Sequence, residues 1–245
     1  MDTDLVIFDK DGTLIDIHYY WGGMVELRAK MLSEKYIKSP YQEKAMYELM
    51  SSMGISLETN KIKPMGPVGI KPREYIINTA YQVVKKYFEA IEIEQVSLVF
   101  KEIDVYSKIH LAQLVKPLPG VEALLTTLKQ QEIKMAIATT DLTSRAELAM
   151  DSLGLKHYFD YIAGADLVDN AKPSADLVNY LCDKTGCEKS KTLVVGDSIV
   201  DLQMAESAQV DFIGVKTGLY SPDFLAYSQA LVDDLIGVEK LILKL

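Results

Sequence analysis

A doubly wound α/β fold, a parallel β-sheet flanked by helices and interrupted by one inserted helical segment, is the architecture this sequence predicts. Three observations predict it. Short apolar runs rich in Val and Ile recur with a polar or Gly-containing turn behind each, as buried parallel strands do. Helical apolar periodicity fills the intervals between them. The stretch from Ile17 to Val115 breaks the alternation, being rich in Met, Tyr, Glu and Lys, helical in pattern and without a convincing strand.

Taken in order, the predicted strands run over Leu5 to Phe8, Lys134 to Ala138, Tyr161 to Ala165, Thr192 to Val195, Phe212 to Val215 and Ala230 to Val232. The clearest helical patterns between them are Val121 to Gln130, Ser144 to Leu153, Ser174 to Lys184 and Val200 to Ser207. The expected organisation is a core of residues 1–16 plus 116–245, with residues 17–115 inserted after the first strand. Inside the insert, the Gly/Pro-rich run from Pro64 to Pro72 must be a loop and divides it into two halves. Pro117-Leu118-Pro119-Gly120 closes the insert, stopping one element just before an amphipathic helix begins. At 245 residues the chain is long enough for a core of roughly 150 residues with a smaller insertion.

Apolar and charged fractions of 49% and 25% are those of an ordinary folded protein. A net charge of -9 disfavours a nucleic-acid binder, whose phosphate contacts need surplus Lys and Arg, so any anionic ligand must be held by local cations. Only Cys182 and Cys187 are present, with no signal-like apolar start and no run long enough to span a bilayer. The expectation is a cytoplasmic protein without membrane partners and without zinc, the two thiols being structural.

In open parallel sheets ligands sit beyond the carboxyl ends of the strands, so the residues that follow each apolar run decide the chemistry. Four runs carry a polar signature there. Leu5-Val6-Ile7-Phe8 leads into Asp9-Lys10-Asp11-Gly12-Thr13, two carboxylates at i and i+2 that an extended segment puts on one face, before a glycine that lets amides approach an anion. In isolation this is also how an ordinary Asp-Gly turn reads. Met135 to Ala138 is followed by Thr139-Thr140-Asp141, a strand-end hydroxyl that alone would be a helix cap. Lys172-Pro173 precedes a helix; with Pro173 at the first helical position, Lys172 falls on the N-cap, unfavourable for a cation unless an anion is near. Leu193-Val194-Val195-Gly196-Asp197-Ser198-Ile199-Val200-Asp201 supplies two more carboxylates, although Ser198 and Asp201 also fit a capping box.

These four segments, in this order and spacing, resemble the motifs of the haloacid dehalogenase superfamily: D-x-D-x-T/V, a strand-end Thr or Ser, a Lys, and G-D-x-x-x-D. The resemblance covers residues 1–16 and about 116–245, a Rossmann-like core, while the insert resembles the superfamily's helical cap in position and helical character only. It implies a phosphatase that hydrolyses a small phosphate ester. Asp9 would be the nucleophile forming an aspartyl-phosphate and Asp11 the general acid and base. Mg2+ would be held by Asp9, the Asp11 carbonyl and Asp197, with Asp201 in support. Thr139, Lys172 and the amides of Lys10, Asp11 and Thr140 would bind the phosphoryl oxygens. Cations are obligatory, since a carboxylate about 4 Å from a phosphate dianion is repelled by roughly 8 kcal/mol at an effective dielectric of 20.

An Asp at position 11 favours phosphate esters over the dehalogenase and phosphonoacetaldehyde hydrolase chemistries of the same superfamily. The β-phosphoglucomutases that share this core usually carry a His ten residues beyond the second Asp; here that place is Trp21, and His18 is out of register. A phosphomutase and a non-catalytic binding regulator remain the alternatives. Candidates for substrate specificity are His18, Trp21, Lys71 and Arg73; the alternatives are packing of the hinge or the insert's underside for Trp21, a solvated loop residue for His18, and no substrate contact for Lys71 and Arg73, which follow the Gly-rich loop. The whole reading requires Lys172 and Asp197 to lie within roughly 10 Å of Asp9, the reach of one bound phosphate and its metal.

Overall fold

The computed structural model describes residues 2–63, 66–68, 71–219 and 230–244, and its chain divides into two units, residues 1–16 with 115–245 and residues 17–114. The first unit opens with β1 (Leu5–Phe8). The second contains α1 (Ile17–Tyr36), α2 (Gln42–Met53), β2 (Ile55–Ser56), β3 (Lys61–Ile62), α3 (Arg73–Tyr87), α4 (Ile93–Ile109) and α5 (Leu111–Leu114). The first unit resumes with α6 (Val121–Gln130), β4 (Lys134–Ala138), α7 (Thr143–Ser152), β5 (Tyr161–Ala163), α8 (Asp176–Thr185) and β6 (Thr192–Gly196). It closes with α9 (Ile199–Ala208), β7 (Asp211–Val215), β8 (Ala230–Val232) and α10 (Leu235–Leu243).

The six strands of the first unit form one parallel sheet in the order β5-β4-β1-β6-β7-β8. All four residues of β1 are fully buried, which is why its run is continuously apolar rather than alternating. In α6, Val121, Leu124, Leu125 and Leu128 make the buried stripe of an amphipathic helix. One side of the sheet packs Leu5, Ile7, Ala136 and Val194 against Leu177, Leu181 and Met204.

What positions the site is the sheet order. β1 lies between β4 and β6, so the chain winds away from it in both directions, and a crevice opens at the carboxyl ends of these three strands. The register brings those ends level, since Phe8 pairs with Ile137 on one side and with Val195 on the other.

The second unit contains strands as well as helices. β2 and β3 form a small antiparallel ladder, Ile55 opposite Ile62 and Ser56 opposite Lys61, where no strand was expected. Two-residue strands are too short to show a period, and the turn into them is made by Gly54 at φ +116°. Within the predicted loop, residues 64, 65, 69 and 70 lie outside the described residues, and 66–68 with 71–72 are neither helix nor strand. Among the described residues no helix is long and apolar enough to cross a membrane.

Candidate active site

Asp9 is the first residue beyond β1, held there by donation of its N–H to the Val195 carbonyl at 2.9 Å. Its carboxylate accepts a hydrogen bond from Lys172 Nζ at 2.6 Å, and the same ammonium donates to Asp201 at 2.6 Å. Asp197 completes the group: Asp9, Asp197 and Asp201 each offer a carboxylate oxygen, all within 4.8 Å of one another. Both distances asked of Lys172 and Asp197 are thus met with room to spare. Lys172 itself is buried, its side chain only 1% exposed.

Three glycines make the space. An added Cβ would lie 1.8 Å from Asp197 Oδ2 at Gly218, 2.6 Å from it at Gly12, and 2.4 Å from Asp201 Cβ at Gly196. Gly12 moreover sits at φ +97°, where a side chain would be strained. Gly218→Ala is therefore expected to push the Asp197 carboxylate out of the cluster. If the cluster holds a divalent metal, the affinity for magnesium measured by calorimetry should fall about tenfold or more, the usual effect of disturbing a ligand's support. An unaltered affinity would mean Asp197 is not where the metal binds.

The electrostatics fit a divalent cation. Burial raises the Asp9 pKa, and the neighbouring carboxylates add to the rise against the opposing pull of Lys172. Burial likewise raises Asp197 well above the ordinary carboxylate range, with Asp9 and Asp201 contributing. The Lys172 pKa is raised too, for the opposite reason. Its burial alone would lower its pKa, but Asp201 and Asp9 outweigh that, and it stays firmly charged. Three carboxylates facing one ammonium leave two negative charges when all are ionised, the charge that Mg2+ would neutralise with hard oxygen ligands.

The turn after Asp9 departs from the extended geometry that the i, i+2 spacing suggested. Leu14 and Ile15 both donate backbone hydrogen bonds to the Lys10 carbonyl, so the chain curls away once β1 ends at Phe8. Asp11 consequently stands outside the carboxylate cluster. Its Oδ2 is 2.9 Å from Lys10 Nζ, and its Oδ1 is buried with no hydrogen-bond partner among the described residues. The Lys10 side chain is buried and also reaches Asp141 at 3.2 Å; burial works against its charge, and the two carboxylates more than compensate. Thr13 donates to Asp197 at 3.3 Å, and Thr217 donates to the Gly12 carbonyl at 2.5 Å. Buried Thr139 accepts the Asp141 N–H at 3.1 Å through Oγ1, which leaves its own proton to donate, while Thr140 is exposed.

Lys172 does not occupy a helix N-cap, and that part of the sequence reading is corrected. The Lys172–Pro173 peptide is cis, α8 starts only at Asp176, and Ala175 is its N-cap. The anions that the misplaced cation seemed to require are Asp9 and Asp201. The capping box at α9 is real: Ser198 and Asp201 cap each other reciprocally, so Asp201 serves the helix through Oδ2 and Lys172 through Oδ1.

Of the specificity candidates, Trp21, Lys71 and Arg73 line one cavity of about 430 Å³ within residues 17–114, and His18 lies outside it, half-buried in the first turn of α1. The same cavity is lined by Arg28 and Phe100, which sequence reading missed. The available signal was spacing, since Trp21 and Arg28 are seven residues apart and share a face of α1. Gly218 was missed as well, although it follows a predicted strand.

Residues 3–209 match the family of haloacid dehalogenase-like hydrolases. The chain is 31% identical over 251 residues to "Probable phosphatase IndB" of Dickeya dadantii, covering 98% of this chain and 95% of the relative. It is 24% identical to a phosphoglycolate phosphatase of Agrobacterium fabrum, covering 95% and 94%. It is 28% identical to the pyrophosphatase PpaX of Halalkalibacterium halodurans, covering 62% and 74%. Among solved structures, a haloacid dehalogenase-like family protein of Streptococcus pneumoniae superposes with a TM-score of 0.64 at 19% identity, covering 98% and 99%. A Thermotoga maritima protein assigned as a beta-phosphoglucomutase gives 0.69 at 22%, covering 99% and 100%. At these identities the two structures speak for the fold alone.

Proposed function

The chain belongs to the haloacid dehalogenase-like hydrolases, and from that premise we propose that it is a magnesium-dependent phosphatase that hydrolyses a small-molecule phosphate monoester through an aspartyl-phosphate on Asp9. The observation that carries this reading is the ammonium of Lys172 held 2.6 Å from Asp9 beside two further buried carboxylates. A nucleophile, a cation for the phosphoryl oxygens and a metal-binding acidic set thus share one crevice.

Asp9 attacks phosphorus in line, forming its own O–P bond as the ester P–O bond breaks. Asp11, whose Oδ1 has no hydrogen-bond partner among the described residues, gives the leaving alkoxide its proton. In the second half, a water attacks phosphorus, Asp11 takes the water's proton back, the Asp9 O–P bond breaks and inorganic phosphate leaves. Lys172, the Thr139 hydroxyl and the amides of Lys10, Asp11 and Thr140 stabilise the equatorial oxygens. A magnesium ion held by Asp9, Asp197 and the Asp11 carbonyl, with Asp201 behind them, would supply the remaining positive charge that lets a carboxylate approach a phosphate dianion. The helical unit, residues 17–114, is read as the cap.

The reading is tested by phosphate release from a panel of monoesters with and without magnesium. Release that EDTA abolishes and magnesium restores is expected; isomerised sugar phosphate with little free phosphate would instead identify a mutase, and no turnover a binding protein. Magnesium should also stabilise the protein, because it relieves the mutual repulsion of buried carboxylates. At a concentration a hundredfold above its dissociation constant, the gain is about 2.7 kcal/mol, read as a rise in Tm. A Tm indifferent to magnesium would argue against the acidic set as its site.

A further inference from the structure

Within the helical unit, the cavity lined by Trp21, Arg28, Lys71, Arg73 and Phe100 has the construction of a binding site rather than of a packing defect. Its volume of about 430 Å³ falls in the range of small-ligand pockets. Three cations line it, and among the described residues the acid that pairs with two of them is Asp104, 3.0 Å from Arg28 and 2.6 Å from Arg73. Three positive charges against one negative leave two positive charges in surplus. Arg28 is only 5% exposed, yet its Nε has no hydrogen-bond partner among the described residues. A buried guanidinium donor without an acceptor is costly. It is tolerated here beside a second guanidinium, and both lie over the Phe100 ring, at 4.7 Å and 5.7 Å from its centroid. Burial and the nearby Arg73 weigh on the charge of Arg28 and lower its pKa, with Asp104 and, more weakly, Tyr20 opposing them.

The elements explain why these groups meet. α1 presents Trp21 and Arg28 two turns apart, α4 presents Phe100 and Asp104 one turn apart, and Arg73 is the first residue of α3. Lys71 stands just ahead of it, its ammonium 5.8 Å from the Tyr75 ring. Trp21 and Phe100 supply apolar walls.

We propose that this pocket is a second oxyanion site, which takes a carboxylate or phosphate group of a small organic molecule on Arg28, Lys71 and Arg73 while its carbon atoms lie against Trp21 and Phe100. The site stands on the helical unit alone and does not depend on the phosphatase reading. The oxyanion could belong to the substrate itself, as a second charged group, or to a separate molecule.

Trp21 is the chain's single tryptophan and lines this pocket, so its fluorescence is a direct probe of it. In magnesium-free buffer at fixed ionic strength, succinate or inorganic phosphate should change its emission saturably, with a dissociation constant of about 1 mM or tighter, while succinamide should not. Arg28→Met and Arg73→Gln should each weaken that response about tenfold or more. Because Arg28 is buried, its variant could fail to fold; half-exposed Arg73 then decides alone. Absence of a saturable response to both anions, or an undiminished response in Arg73→Gln, overturns the proposal. A response retained in Asp9→Asn shows that the pocket stands apart from turnover, and an inactive protein that still responds loses the phosphatase reading only. Comparing kcat/KM for 2-phosphoglycolate and ethyl phosphate separates the two sources of the oxyanion. A selectivity that collapses in Arg73→Gln puts the group on the substrate, and an unchanged selectivity puts it on a separate ligand.

Discussion

Asp9→Asn should abolish phosphate release, by a factor on the order of 10³ or more, which corresponds to about 4 kcal/mol of barrier. The substitution is nearly isosteric. An amide oxygen at position 9 can still accept the 2.6 Å hydrogen bond from Lys172, so the crevice keeps its shape. What disappears is the carboxylate proposed to attack phosphorus, and one negative charge. Because burial and neighbouring carboxylates already disfavour the ionised form of Asp9, removing that charge should cost no stability in magnesium-free buffer and should tend to raise Tm. Loss of activity with Tm unchanged or raised is therefore the expected signature, read from steady-state release and a melting curve on the same preparation. Release within tenfold of the parent would remove Asp9 from its proposed role. Loss of release together with a collapsed Tm would point to a structural part for this residue.

Lys172→Met should be the most destabilising single change at the site. The ammonium is buried and is shared by Asp9 and Asp201 at 2.6 Å each. Removing one partner of a buried ion pair typically costs 3–5 kcal/mol, chiefly by leaving carboxylates without a counter-charge. For a chain of this size that is a fall in Tm on the order of 10 °C, in magnesium-free buffer. Double substitution with Asp201→Asn should recover part of the loss, since it removes one of the stranded charges. Additive losses in the double variant would show that the two side chains do not interact as placed.

The core of the site was legible because its chemistry follows continuous apolar runs. Leu5–Phe8, Met135–Ala138 and Thr192–Gly196 are buried on both faces of the sheet, so Asp9, Thr139 and Asp197 announce themselves as polar residues that begin where the apolar run ends. Lys172 is different. It lies in an irregular segment between β5 and α8, where proline suggested a helix start that actually comes at Asp176, and the side chain reaches the crevice across that segment. The β2–β3 ladder was illegible for want of length, two residues per strand being no period at all. Arg28 was invisible for another reason. A single arginine on a helix usually covers a solvated face, and only the packing of α1 with α4 places it beside Phe100 and Asp104. The glycine at 218 carries no chemistry of its own, and its meaning lies in the proximity of Asp197 across adjacent strands.

The central claim is that the phosphoryl group passes through Asp9, and acid quenching during turnover tests it most directly. Protein stopped while hydrolysing a saturating ester in magnesium should, after proteolysis and mass spectrometry, carry an acid-stable, base-labile phosphoryl group on the peptide that contains Asp9. The adduct should be absent from Asp9→Asn. A protein that releases phosphate steadily and shows no such adduct, or shows it on another residue, would contradict the account.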